Sequence, residues 1–184
     1  NKEKIKSGTN EFNEGSVFVQ ANDKSKKLLS DLAKELHLKL YFSEITDKSK
    51  LKELKKVSVG LYQSYSASMD EGWTRLLLEN FQFDFKSVFN KDFKNKKLKD
   101  NYDVLIFPDM SPDVIKTGKP SGDNARFYRA KPAEYEGGIE KEGVENLKTF
   151  IEKDGGYVIT LGQSCNFAIE DLGLKVSNVL KTVK

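Results

Sequence analysis

Cysteine and histidine each occur once in this 184-residue chain, so the placement of those two residues decides much of the chemistry open to it. Cys165 follows Ser164 in "VITLGQSCNFAIE" (158–170), which reads as a buried strand, a glycine, a short turn and a helix. That is the layout of a nucleophile elbow, a strained strand-to-helix turn that lifts a reactive side chain over an α/β sheet. A thiol there needs a base, usually histidine, to form thiolate. His37 ends the first amphipathic helix between Leu36 and Leu38 and precedes an apparent strand, so it reads as a structural or surface residue. No histidine follows Cys165.

Other chemistries find little support. Neither G-x-G-x-x-G after a strand nor G-x-x-x-x-G-K-[ST] occurs, and Gly118-Lys119-Pro120-Ser121-Gly122 lacks a strand–loop–helix context. One cysteine excludes an intrachain disulfide, and one histidine with one cysteine excludes an ordinary zinc site built from His and Cys alone. Carboxylate pairs such as Glu134/Glu136 and Asp70/Glu71 could do acid–base work, but they read as loop and helix-start acids favoured by the helix dipole. No metal ligand is assigned.

The elements that must position these residues alternate between strand and helix. Residues 1–14 are lysine-rich and expected to be mobile. Residues 15–56 read as a strand–helix–strand lead-in unit packed on the main domain: "SVFVQ" (16–20), a helix capped by Asn22 or Asp23 with Leu28, Leu29, Leu32, Ala33 and Leu36 on one face, and "LKLYFS" (38–43). The main domain spans 57–184. Strands are expected at 57–62, 83–89, 104–107 and around 158. One intervening helix carries Trp73, Leu76, Leu77 and Phe81 inward, and another carries Val144, Leu147, Phe150 and Ile151. Parallel strands joined by crossover helices give a sheet covered on both faces. The fold expected is α/β, a three-layer α/β/α flavodoxin-like arrangement with a mostly parallel sheet.

In such sheets ligands bind beyond the carboxyl ends of the strands. Loops 63–72, 109–138 and 162–165 leave those ends. They supply Ser66, Ser68, Asp70, Arg75, Asp109, Arg126, Arg129 and Glu136 as candidate ligand or domain contacts. A loop of about 30 residues is unusual in a compact domain and is either functional or packed on a neighbour.

Net charge is +3 and arginine occurs only at 75, 126 and 129, too little for nucleic-acid binding by charge alone; the spread lysines read as a solvated face. No run approaches the length of a membrane span. The chain starts "NKEKIKSGTNEF" without methionine or a signal-peptide core, which suggests an excised piece of a longer protein.

"GLYQSYSASMDEGWTRLLLENFQFDF", "YDVLIFPD", "PAEYEGGIEKEGVENLKTFIEKDGG" and "VITLGQSCNFAIEDLGLKVSNVL" together resemble the class I glutamine amidotransferase-like domain at the C-terminal end of certain large bacterial zinc carboxypeptidases. The likeness covers about residues 57–180, and the run from Ser68 to Arg75 is its most specific part. Amidotransferases of this class carry G-x-C-x-G. Here the residue two after Gly162 is Ser164, Cys165 stands one place late, and Asn166 replaces the second glycine. Ser164 thus occupies the nucleophile's place without a base, and Cys165 reads as inert.

The resemblance implies a secreted or periplasmic zinc metallocarboxypeptidase as parent, a hydrolase active in proteolysis on peptide substrates. Its zinc and catalysis would lie outside this chain, which lacks the His-x-x-Glu motif: Leu38, Lys39 and Leu40 follow His37. The function expected is that of a non-catalytic accessory domain that supports, docks on or presents substrate to the parent's own peptidase domain. The alternative is a small-molecule site or weak hydrolase around Ser164, with an arginine holding a carboxylate. A third reading, a polysaccharide- or peptide-binding module, needs Tyr128 and Tyr135 clustered on one exposed face.

Overall fold

The computed structural model describes residues 1–179, and the last residues of the predicted main domain, 180–184, lie outside the described residues. The chain divides into two compact units, Asn1–Lys55 and Lys56–Lys184.

In the first unit, residues 1–14 are not a loose leader. They carry an antiparallel hairpin of β1 (Ile5–Ser7) and β2 (Asn10–Phe12). Ile5 is buried, and the Asn1 ammonium group and side chain bond to the carbonyls of Ser16 and Asn13. Helix α1 spans Asp23–Glu35. Asn22 caps it in a reciprocal pair with Ser25, which satisfies an orphan donor at the helix start. His37 ends it at φ 53°, and the Leu38 amide reaches back to the Ala33 carbonyl. Histidine tolerates that left-handed backbone better than a bulky apolar residue, so its role here is to terminate a helix. The strands predicted at 16–20 and 38–43 do not form; neither segment has a ladder partner among the described residues.

The second unit is α/β. Strands β3 (Val59–Tyr62), β4 (Phe85–Val88), β5 (Val104–Phe107) and β6 (Tyr157–Thr160) form one small parallel sheet in the order β4-β3-β5-β6. Helix α2 (Met69–Asn80) links β3 to β4. The link from β5 to β6 holds α3 (Pro112–Thr117) and α4 (Glu140–Glu152), and α5 (Ser164–Glu170) follows β6. The chain crosses the sheet in opposite directions in these two links, so right-handed crossovers put α2 on one face and α3 and α4 on the other. This is the three-layer, flavodoxin-like arrangement the sequence predicts.

The core lies on the α3–α4 face. Tyr62, Val88, Leu105 and Phe107 point there, against Phe93, Leu98, Ile115, Ile139, Leu147, Phe150 and Phe167. Packing is close enough that a Cβ on Gly60 would come within 2.5 Å of Val88 Cγ2 and 2.7 Å of Leu105 Cδ2, so only glycine fits in the middle of β3. The expected loop over 109–138 is not structureless, since it contains α3 and short 3-10 turns at Gly122–Phe127 and Ala133–Tyr135.

The opposite face corrects the sequence reading. Trp73, Leu76, Leu77 and Phe81 are all exposed, Trp73 to 63%. Turned to the sheet instead are Glu71, Thr74, Arg75 and Leu78, which share the same i, i+3, i+4, i+7 spacing. A helical period specifies that a stripe exists, not which stripe the sheet receives. Beyond α2 the sheet's second face is open at its far edge, where Tyr157 and Ile159 of β6 are exposed.

Tyr62 is wholly buried, and its hydroxyl donates to Asn90 Oδ1 at 2.7 Å. Tyr62→Phe leaves Asn90 unmatched and is expected to lower unfolding free energy by about 1–3 kcal/mol, read from urea midpoints at unchanged m-value. Trp73→Ala is expected to change it by less than about 0.5 kcal/mol. Burial, with a smaller contribution from Tyr65, raises the Tyr62 phenol above its ordinary value. The unfolded phenol ionises first, near pH ~10, so stability from keeping it neutral is complete below that pH and declines as pH rises toward the folded value. Tyr62→Phe is therefore expected to flatten the alkaline fall of stability.

Candidate functional site

β3 and β5 are neighbours whose chains leave in opposite directions across the sheet, which makes their carboxyl ends the topological switch point where open α/β sheets bind ligands. Three features meet the strand ends: the turn after β6, the segment after β5, and the loop after β3.

The turn after β6 is the elbow. Gly162 sits at φ 55°, and a Cβ there would meet Asp109 Oδ2 at 2.3 Å. Asp109 Oδ1 accepts from the Gln163 amide at 3.0 Å. The carboxylate thus pins the elbow to the end of β5. Ser164 is wholly buried at the start of α5, and its hydroxyl donates to the Pro108 carbonyl, with the Met110 carbonyl at 3.2 Å. Its proton is committed to backbone acceptors and its oxygen has no path to solvent. Cys165 is turned back toward the strand, with Sγ 3.4 Å from the Thr160 carbonyl and 3.6 Å from Thr160 Oγ1. Neither arrangement aims a nucleophile at an open cleft.

The loop after β3 meets the long connection. Lys131 Nζ donates to the Tyr65 carbonyl and to Ser66 Oγ, each at 2.8 Å. The Tyr65 ring stacks on Phe89 and meets the edge of Tyr135. Glu136 Oε1 accepts from the Tyr128 hydroxyl at 3.1 Å and from the Lys131 amide at 3.4 Å. Desolvation, then the hydrogen bond to Glu136, raises the Tyr128 phenol. Asn90, two residues beyond β4, donates to the Gly137 carbonyl at 2.7 Å. The 109–138 segment is therefore fastened over the end of β3 by Lys131, Tyr135 and Gly137.

The remaining candidates divide among structural tasks. Ser68 caps α2 by accepting from the Glu71 amide at 3.2 Å. Asp70 is exposed in the first turn, and its carbonyl accepts from Thr74 Oγ1. Arg75 lies between α2 and the sheet: it is ion-paired with buried Glu71, donates to Ser87 Oγ at 2.8 Å and stands over the Phe85 ring. Arg126 is exposed, and its carbonyl accepts from Arg129, which also donates to the Tyr128 carbonyl. The structure thus joins Asp109 to the Ser164 turn, and Ser66 to Glu136 through Lys131. It does not join an arginine to Ser164. Sequence reasoning missed Lys131 and Asn90, and read Glu71 as a helix-start acid rather than as the partner of Arg75. The strand-end rule points to Asn90 and the i, i+4 spacing to Glu71; no spacing pattern marks Lys131.

Among the described residues, no group of three or more His, Cys, Asp or Glu side chains is placed to hold a metal ion, and no helix is long and apolar enough to cross a membrane. No family model matches the chain, and no similar curated protein or solved structure is found.

Three substitutions read out the elbow. Ser164→Ala strips two buried carbonyls of their donor and is expected to cost about 1–3 kcal/mol of stability. Gly162→Ala adds a left-handed backbone cost of about 1–2 kcal/mol to the collision with Asp109. Cys165→Ala is expected to cost less than Ser164→Ala. Urea melts of the three variants against the parent chain measure the order.

Proposed function

We propose that this chain is a non-catalytic accessory domain of a zinc metallocarboxypeptidase-like parent, whose peptidase domain lies outside it, and that it works by support, docking or presentation of substrate. The observation that carries its non-catalytic part is the Ser164 hydroxyl, wholly buried and committed to the Pro108 and Met110 carbonyls. A nucleophile has to reach both a base and a reacting carbon, and this one faces backbone oxygens. Supporting the same reading, Cys165 turns to Thr160, Arg75 is occupied by Glu71 and Ser87, and Arg129 by the Arg126 and Tyr128 carbonyls. The parent's secretion, zinc and peptide substrates rest on the sequence resemblance alone.

The exposed apolar side chains of α2, with Tyr157 and Ile159 of β6, supply surface for docking.

Peptidase turnover of the full-length parent, with and without residues 57–184, tests the proposal. Deletion is expected to lower turnover or soluble yield, while Ser164→Ala and Cys165→Ala within the parent leave kcat/KM within about twofold, a change of under ~0.5 kcal/mol in transition-state stabilisation. Unchanged folding and turnover after deletion overturns the supporting role. Hydrolysis of an activated ester by the chain alone, abolished by Ser164→Ala, overturns the non-catalytic one.

A further inference from the structure

Helix α2 turns Glu71, Thr74 and Leu78 to the sheet. At about 100° per residue, the centre of its outer face therefore falls on Met69, Gly72, Trp73, Leu76 and Asn80. All five are exposed, Met69 to 75%. The stripe itself carries no charge, and Asp70 and Glu79 lie on its flanks.

Gly72 is the member of this stripe that the fold does not explain. Its backbone is helical and not left-handed. A Cβ built on it would meet no atom within 4 Å, so alanine would fit there without contact. Glycine is the poorest helix former after proline, and Gly60, where Val88 and Leu105 crowd the Cβ position, shows what an internal reason looks like. The remaining reason for a glycine within α2 is close approach of another backbone from outside.

The neighbours of Gly72 say what approaches. Met69, Gly72, Trp73 and Leu76 stand at i, i+3, i+4 and i+7, the four corners of a knobs-into-holes socket. The glycine leaves one corner empty, and Trp73 beside it is the largest knob a helix offers. Socket and knob thus lie on one face. A foreign helix needs only one of the two. An isologous pair, in which each copy gives its knob to the other's socket, needs both. The area agrees: Met69, Trp73, Leu76 and Leu77 expose about 500 Å² per copy, so a twofold pair has about 1,000 Å² to bury, the lower bound of a specific interface.

We infer that α2 is a self-association surface: two copies of this chain pair through Met69, Trp73 and Leu76, with the helices crossing at Gly72 about a twofold axis. The contact does not use Tyr157 or Ile159 of β6, and it does not depend on the accessory role proposed above.

Sedimentation equilibrium of the full 184-residue chain tests it, with the emission of Trp73, the sole tryptophan, read on the same samples. A monomer–dimer equilibrium with Kd below about 200 μM is expected. Emission is expected to shift to the blue as the dimer fills, because the indole leaves water. Gly72→Ala is expected to move two readouts in opposite directions: a higher urea midpoint by circular dichroism in dilute solution, and a Kd weaker by about threefold or more. Gly72→Leu and Trp73→Ala are each expected to weaken Kd by about tenfold or more, and Tyr157→Ala to leave it within about twofold. In a Cys165→Ala background, Gly72→Cys is expected to form a disulfide-linked dimer with oxidised glutathione about tenfold faster than Lys86→Cys, since the bond needs Cα atoms within about 7 Å. Weaker association than the expected Kd overturns the proposal and leaves α2 to a foreign helix. Gly72→Leu that dimerises as the unaltered chain does, or a thiol at 72 that links no faster than one at 86, also overturns it. So does a dimer whose emission does not shift, or one that Tyr157→Ala weakens as much as Trp73→Ala, in favour of another face.

Discussion

The hydroxyl of Tyr62 has to be satisfied where no water reaches, and much of the second unit is arranged around that requirement. A buried phenol without a partner costs several times what a matched one contributes. Here it donates to Asn90, and Asn90 spends its own amide on the Gly137 carbonyl. One polar chain therefore links the end of β3, the turn after β4 and the end of the long connection before α4. The Tyr62 ring packs on Phe93 and Phe107, and Phe107 packs on Phe167 of α5. The elbow helix is thus linked, through the rings of Tyr62 and Phe107, to a hydroxyl on a strand two places away in the sheet.

The parallel sheet was legible in the sequence because its strands are short apolar runs bounded by turn residues, and 104–107 in particular is apolar throughout. The helix at 140–152 was legible because its stripe faces a core made by the same chain: Val144, Leu147 and Phe150 are buried as their spacing predicts. The same rule misplaced Trp73, Leu76 and Leu77, because periodicity identifies an apolar side but not its partner. The strand readings at 16–20 and 38–43 also failed. Short runs of β-branched and aromatic residues are fit for a ladder, and ladders need a neighbour that local sequence does not supply. The lysine-rich start was read by composition alone, which overlooked that Ile5 and Phe12 can anchor a short hairpin.

The candidate site was legible in outline and not in use. Strand-end position correctly gathered Asp109 with Ser164 and Ser66 with Glu136. What it could not supply was direction. A serine at an elbow can face solvent or face the backbone, and the difference here comes from the Pro108 and Met110 carbonyls, which lie more than fifty residues away in sequence. Arg75 was similarly named as a possible ligand clamp. Its i, i+4 partner Glu71 neutralises it beneath α2, and this is a pairing that the spacing itself offered.

The exposure of Trp73 has a spectroscopic consequence. It is the sole tryptophan, and it lies outside the hydrophobic core. Its indole already meets water in the native state, so its emission is nearly blind to the collapse of Tyr62, Phe93 and Phe107. The native fluorophore is instead a sentinel for whatever covers α2, dark to folding and responsive to company.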